Sequence, residues 1–353
     1  MAVDMDRLNA FMGKFVGDLG AGMHAPLVIL GDKLGLYKAM AAAGPSTPAE
    51  LAKKTECDAR YLQEWLNAMA AGGYVSYDAG SGKYHLSPEQ AFTLADETSP
   101  VYLPGAFQVI ASVIKDEEKI TAAFKSGKGV GWHEHHPDLF VGTERFFRPN
   151  YVANLTANWI PALDGVEAKL QAGGTVADIG CGHGASTILM AQAYPKAKVT
   201  GFDYHPASVE TARRRAAEAG LGDRVKFEVA PAKGYPGSNY DLVAFFDCLH
   251  DMGDPAGAAK HVYQSLAPEG SWMVVEPMAA DSFEANHNPV GRVFYCASTM
   301  ICTPASKAQE VGAALGAQAG EKRLGEVIRS GGFKKVRRAA ETPFNLVLEA
   351  KRG

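Results

Sequence analysis

The sequence has no CxxC cysteine pair, no long apolar run and no surplus of positive charge. Each absence argues against a class of function. The cysteines stand at 57, 181, 248, 296 and 302, odd in number and scattered, which speaks against a disulfide frame or a zinc site and for the reduced thiols of a cytoplasmic protein. No apolar stretch is long enough to span a bilayer. The opening Met1-Ala-Val-Asp4-Met-Asp6 lacks the basic-then-apolar layout of a signal peptide. A net charge of −4 provides no electrostatic draw toward nucleic acid or an anionic membrane. What is present is ordinary globular material, 353 residues with 47% hydrophobic and 21% charged, long enough for two domains.

The first hundred residues carry helical signals. A glycine-rich stretch from about 8 to 22 is followed by an apolar face from Ala25, through Leu30, Leu34, Leu36 and Met40, that ends at Gly44-Pro45. Thr47-Pro48-Ala49-Glu50 combines a capping residue, proline at the first helical position and glutamate three after the cap. Asp58 caps a longer helix with Leu62, Trp65, Leu66 and Met69 on one face, stopped by Gly72-Gly73. Tyr74–Tyr77 and Lys83–Leu86 flank Gly80-Ser-Gly82 and predict a hairpin. This order predicts a winged helix-turn-helix. From His24 to Gln90 six basic residues face seven acidic ones, and the would-be recognition helix carries one Arg and one Glu. Such a surface cannot neutralise phosphates, so dimerisation through the apolar first helices is favoured over DNA binding.

Residues 101–165 are expected to form a helical connector rich in aromatics. It contains His133-Glu134-His135-His136, but no His pair at i, i+4, so these are expected as polar residues on a pocket rim with no metal. From 166 strands and helices alternate, with strands near 175–179, 198–202, 225–229, 241–246 and 271–276, and two closing strands near 333–339 and 344–350. Alternation predicts an α/β fold, a mostly parallel sheet with helices on both faces, and a ligand at the carboxyl ends of its strands.

Asp178-Ile-Gly180-Cys-Gly182-His-Gly184 ends the first of those strands, and Asp203 ends the second, 25 residues on (203 − 178). Glycines there allow a tight turn and a close ligand, and the Asp203 carboxylate can accept from both hydroxyls of a ribose. These features alone fit NAD or S-adenosylmethionine. Asp178 separates them, because a carboxylate before the glycines repels a pyrophosphate and serves an ammonium group.

With the Asp241 strand and the Leu266–Gly270 turn, this pattern resembles class I S-adenosylmethionine-dependent methyltransferases, whose Rossmann-like core has seven strands with the last antiparallel. The winged helix in front makes it similar to small-molecule O-methyltransferases of plants and antibiotic pathways. The resemblance implies a homodimer, a winged-helix dimerisation domain over 1–100 and a methyltransferase domain over 166–353. It implies that Gly180, Gly182 and Gly184 cradle the methionine part of the cofactor, with Asp178 near its amino group, Asp203 on the ribose, Tyr204 against adenine, and Phe246 and Asp247 beside it at the fourth strand's end. Where many members have an acid for the adenine amino group, Ala230-Pro-Ala232 stands here, so Ala232 is expected to offer backbone and packing.

Cys248-Leu-His250-Asp251 is similar to the segment whose histidine is the general base in those enzymes. Methyl transfer to a hydroxyl needs an aligned nucleophile and a proton acceptor, and histidine titrates in the useful range. Asp251 or Glu276 would orient it. Trp132, Phe147, Tyr151, Phe294 and Tyr295 are expected to line a mostly apolar substrate pocket. Two readings stay open beside this one: transfer to nitrogen or carbon, and a ligand-sensing winged-helix regulator.

Overall fold

A computed structural model describes residues 2–353. The chain divides into two compact units, the residues up to Ile114 with Asp138–Pro149, and Lys115–Pro137 with Asn150–Gly353. The 101–165 stretch is thus shared between them.

The first unit is helical with one hairpin. Its leading helix, Met5–Lys33, is capped by Asp4 and runs through Pro26 without ending there. The glycine-rich stretch and the start of the apolar face are therefore one helix, and the face is broken at Leu34-Gly35, where Gly35 turns left-handed at φ +67°. A separate helix, Leu36–Ala43, follows. Proline removes one i→i−4 bond, and the flanking turns hold the rest. Thr47 and Glu50 form the expected capping box, and Asp58 caps Ala59–Ala71. Strands β1 (Ser76–Asp78) and β2 (Lys83–His85) form the wing, shifted slightly from the expected positions. A second capping box, Ser87 with Gln90, starts a helix Pro88–Leu94 that the pattern did not announce. The core packs Val28, Leu36, Tyr37, Met40, Leu62, Trp65, Leu66 and Met69. On its flank Arg145 forms a two-pronged bond to Asp32, at 2.7 and 2.9 Å, and Tyr102 donates to the same carboxylate at 2.9 Å.

The second unit is built on a seven-stranded sheet. Its strands are β3 (Thr175–Ile179), β4 (Lys198–Asp203), β5 (Val225–Val229), β6 (Tyr240–Phe246), β7 (Leu266–Pro277), β8 (Lys335–Glu341) and β9 (Asn345–Lys351). The order is β5-β4-β3-β6-β7-β9-β8. β5 through β7 are mutually parallel, and β9 runs antiparallel to both neighbours. Helices Ala185–Ala193, Pro206–Glu218, Pro255–Ser265 and Gly320–Ser330 cover it. Every residue of β6 from Leu242 to Phe246 is buried, the signature of a strand covered on both faces. The strand order reverses between β3 and β6, and such a switch point opens a crevice at the carboxyl ends of the strands.

Candidate active site

The glycine turn leaves β3 at that switch point. Gly180, Gly182 and Gly184 all have positive φ, at +71°, +51° and +83°. Two are demanded by close packing: a Cβ on Gly180 would meet the Cys248 sulfur at 2.9 Å, and one on Gly184 would meet the Phe227 ring at 2.8 Å. Nothing lies within 4 Å of the equivalent position on Gly182, so the turn is open there. Asp203, at the end of β4, ties the open turn down. One of its oxygens accepts from the Gly182 N–H and the other from the His205 N–H, both at 2.9 Å. Each oxygen keeps a lone pair for a ligand hydroxyl. Burial raises the Asp203 carboxyl above its ordinary range despite these two bonds.

Asp178 is fully buried beneath the turn. Its Oδ2 accepts from Ser186 and Thr187, both at 2.6 Å, while its Oδ1 has no partner. Burial pushes this carboxyl up to about 6, against the pull of the two hydroxyls. A buried orphan oxygen is costly, and a cationic group over the turn would satisfy it.

At the end of β6, Phe246 packs its ring 5.3 Å from that of Tyr151. The next residue, Asp247, takes a left-handed φ of +48°, unusual for a residue with a side chain. Tyr151 donates to its Oδ2 at 2.6 Å and Asn345 to its Oδ1 at 2.8 Å. Burial first, and then the Glu276 charge, push Asp247 up to about 8.

His250 sits in a short turn, Leu249–Asp251, and is buried. Its Nδ1 lies 2.5 Å from Glu276 Oε2, and Glu276 Oε1 accepts from the Leu249 N–H at 2.9 Å. Its Nε2 lies 3.3 Å from Asp251 Oδ1. That Oδ1 has no hydrogen-bond partner, so the contact is close without being directed. The other Asp251 oxygen accepts from the Trp132 indole at 2.8 Å. Burial pulls the imidazole down, and the Glu276 and Asp251 charges more than offset it, leaving His250 well above its ordinary value.

The remaining expected residues are scattered in role. Tyr204 is about half exposed, its ring 6.4 Å from that of His133. Ala232 is partly buried and packs on the sheet core. Phe294 is buried in the helix Pro289–Ala297, and Tyr295 lies 5.8 Å from Phe283. Phe147 belongs to the first unit, its ring 4.9 Å from that of Phe146. Within the histidine run, His135 is buried with its Nδ1 3.0 Å from Asp116, 19 residues away, and Glu134 accepts from the Gly131 N–H at 2.6 Å. Sequence reasoning missed Asn345 and Cys302, whose positions become meaningful only when distant segments meet.

Two segments match known families. Residues 170–331 match the family described as a methyltransferase domain, and residues 22–96 match the Rv2258c-like winged HTH domain. The chain carries a methyltransferase domain behind a winged helix-turn-helix domain. The 27-O-demethylrifamycin SV methyltransferase of Amycolatopsis mediterranei is 39% identical over 103 residues, covering 29% of this chain and 38% of that relative. The chain therefore spans well under half the length of that relative. Among solved structures, human N-acetylserotonin methyltransferase in complex with SAM has a TM-score of 0.68 at 17% identity, covering 100% of both chains. An O-methyltransferase family protein from Burkholderia thailandensis has a TM-score of 0.69 at 16% identity, covering 100% of this chain and 99% of its own. The two structural likenesses concern the fold alone.

Proposed function

We propose that this chain transfers a methyl group from S-adenosylmethionine to an oxygen of a small, apolar or aromatic acceptor. The observation that carries the reading is the orphan oxygen of Asp178, buried under a turn that is open at Gly182 and braced by Asp203. When bound, the cofactor supplies an electrophilic methyl on a cationic sulfur. Asp178 would accept from its ammonium group, the glycine turn would lie along its methionine part, and Asp203 would accept from its ribose hydroxyls. Tyr204 and the Ala232 turn would border the adenine, with Phe246 and Asp247 beside the sulfur. Trp132, Tyr151, Phe294 and Tyr295 would help to hold the acceptor. Proton removal falls to the His250 cluster, where Glu276 on one ring edge and Asp251 near the other stabilise the imidazolium, as a carboxylate does in a triad.

The relatives favour this over the alternatives: one is named for a methyl transfer linked to oxygen, and another is solved with SAM. Transfer to nitrogen or carbon would keep the cofactor site and make His250 dispensable. A DNA-binding regulator is disfavoured because Arg60, the one basic residue of helix Ala59–Ala71, is already paired with Glu64. The chain is read as a cytoplasmic homodimer: its cysteines are free, and no described helix is long and apolar enough to cross a membrane. The leading helix exposes Leu8, Phe11, Met12, Phe15, Val16 and Leu19, a stripe that a second copy would cover.

Titration calorimetry with S-adenosylhomocysteine and with NAD tests the cofactor. Binding of the first alone, abolished in Asp203→Ala, is expected; binding of NAD alone would overturn the reading. Turnover of a hydroxyl acceptor that survives His250→Ala would remove His250 as the general base.

A further inference from the structure

Asp247 and Cys248 are the accessible residues at the carboxyl end of β6. Leu242–Phe246 before them and Leu249–Asp251 after them are buried, whereas these two are half-buried. A ligand in the switch-point crevice over that strand end therefore meets their side chains. The two side chains diverge. The Cys248 sulfur turns toward β3, donating to the Ile179 carbonyl at 3.4 Å and backing the glycine turn at Gly180. The Asp247 carboxyl turns toward Tyr151 and Asn345 of β9. β3 and β9 lie on opposite sides of β6, so this carboxyl points away from the turn assigned to the cofactor. Its backbone can border the cofactor while its carboxyl faces the acceptor. Resting on the methyl-transfer reading above, we propose that Asp247 is a specificity residue, and that the acceptor carries a cationic amine which this carboxylate receives.

Three features support the proposal. First, the carboxyl is held in place by a chain of donors. Tyr151 and Asn345 each bond one oxygen, which leaves each oxygen a lone pair for a ligand. Asn345 is oriented in turn: Asn150 donates to its Oδ1 at 2.6 Å, Asn154 to Asn150 at 2.7 Å and Asn158 to Asn154 at 2.9 Å. Every amide of this chain presents its N–H end toward Asp247, and donors so aligned polarise one another toward a negative charge. Second, the groups bonded to the carboxyl are neutral. His250, the cation that pulls on it, is itself held between Glu276 at 2.5 Å and Asp251 at 3.3 Å. Third, burial and the Glu276 charge push Asp247 up to about 8, and a cationic ligand is what brings such a group to its charged form. The titratable groups facing it are Glu276 on β7, His250 on the turn after β6, and Tyr151 on the helix Asp138–Asn154. An acceptor bearing a carboxylate would instead add a like charge to this strand end.

Binding moves one proton. The ammonium group keeps its own, the Asp247 carboxyl gives its proton to solvent, and the two charges pair. An amine anchored three residues before His250 fixes one orientation of the acceptor, which is what an in-line transfer to its hydroxyl needs.

The probes are tyramine, 4-ethylphenol and 4-hydroxyphenylacetate, phenols with a cationic, an apolar and an anionic tail. Titration calorimetry at about pH 7 uses the full chain saturated with S-adenosylhomocysteine, so that the amine cannot compete for Asp178. Tyramine is expected to bind roughly 10–100-fold tighter than 4-ethylphenol, with 4-hydroxyphenylacetate weakest. Tyramine binding should release about one proton, read from its heat in two buffers of different ionisation enthalpy. Asp247→Asn is expected to lose both the preference and the proton. Equal affinity for tyramine and 4-ethylphenol, binding of neither, no proton released, or a preference that persists in Asp247→Asn would each overturn the assignment. The wild-type affinities and proton count decide it even where the variant does not fold. S-adenosylhomocysteine binding is measured on the same wild-type sample: its absence sinks the methyl-transfer reading, whereas its presence without an amine preference sinks the role of Asp247 alone.

Discussion

Tyr151 donates a 2.6 Å hydrogen bond to Asp247 from 96 residues away, and so holds a half-buried carboxyl at a strained backbone position beside the switch point. Removing the phenol leaves that oxygen without this donor. Tyr151→Phe is expected to cost about 0.5–1.5 kcal/mol, the net worth of one hydrogen bond. Urea denaturation at neutral pH measures it, and an unchanged midpoint would mean that water replaces the phenol.

Asp247 also sets a pH dependence. Its carboxyl is pushed up to about 8, above its unfolded value of 3.8, so the folded state holds the proton more tightly. Its contribution to stability is full below the unfolded value and is lost as pH rises through the folded one. Cofactor-free protein should therefore melt at lower temperature at about pH 9 than at about pH 5, and Asp247→Asn should flatten that slope. A variant with the wild-type slope would assign the effect elsewhere.

Asp178 connects pH to cofactor affinity. Its carboxyl stands at about 6 in the free protein, and its orphan oxygen is proposed to meet an ammonium group. Affinity for S-adenosylhomocysteine should fall as the solution is acidified below about pH 6, because a protonated carboxyl offers no charge. Asp178→Asn should weaken binding by roughly 10–100-fold at neutral pH and remove the acid limb of the profile. Calorimetry across pH reads both, and a variant that binds as tightly as wild type would move the ammonium site away from Asp178.

Two glycines of the same turn should separate folding from binding. Both have positive φ, but only Gly184 would drive a Cβ into Phe227 and Ala212, at 2.8 and 3.0 Å. Gly184→Ala should cost several kcal/mol from strain and overpacking together, at the upper end of about 1–3 kcal/mol for overpacking alone plus about 1–2 for the backbone. Gly182→Ala meets nothing within 4 Å and should cost about 1–2 kcal/mol, yet abolish cofactor binding, because its methyl fills the open space. Melting curves with and without S-adenosylhomocysteine distinguish the two.

The exposed stripe on the leading helix predicts the assembly. Phe11 and Phe15 are 61% and 53% exposed, an unfavourable state for two aromatic rings four residues apart on one face. Phe11→Glu with Phe15→Glu should convert a dimer to a monomer in analytical ultracentrifugation while the melt of the methyltransferase domain persists. A wild-type monomer at micromolar concentration would remove the dimer from the proposal.

Much of this was legible in the amino-acid order, because the signals are local. A β-branched, apolar run bounded by glycines specifies a buried strand, so β3 falls at its expected residues, and the alternating Val225-Lys-Phe-Glu-Val229 places the half-buried β5. Thr47, Glu50 and Asp58 cap their own helices through bonds spanning three residues or fewer, which no distant contact needs to arrange. Asp178, the glycine turn and Asp203 were readable together because each ends a parallel strand at the same edge of the sheet. The helix that continues through Pro26 was not, since whether a proline ends a helix depends on the neighbours that hold the turn. Nor was the burial of His135, which needed Asp116 from another helix. Tertiary structure alone brought Trp132 and Cys302 to the His250–Asp251 turn and Asn345 to Asp247, across separations that carry no periodic signal. Strand ends, turns and caps are written in short-range chemistry, whereas the partners of a buried charge are chosen by which segments the packed sheet happens to bring within hydrogen-bonding distance.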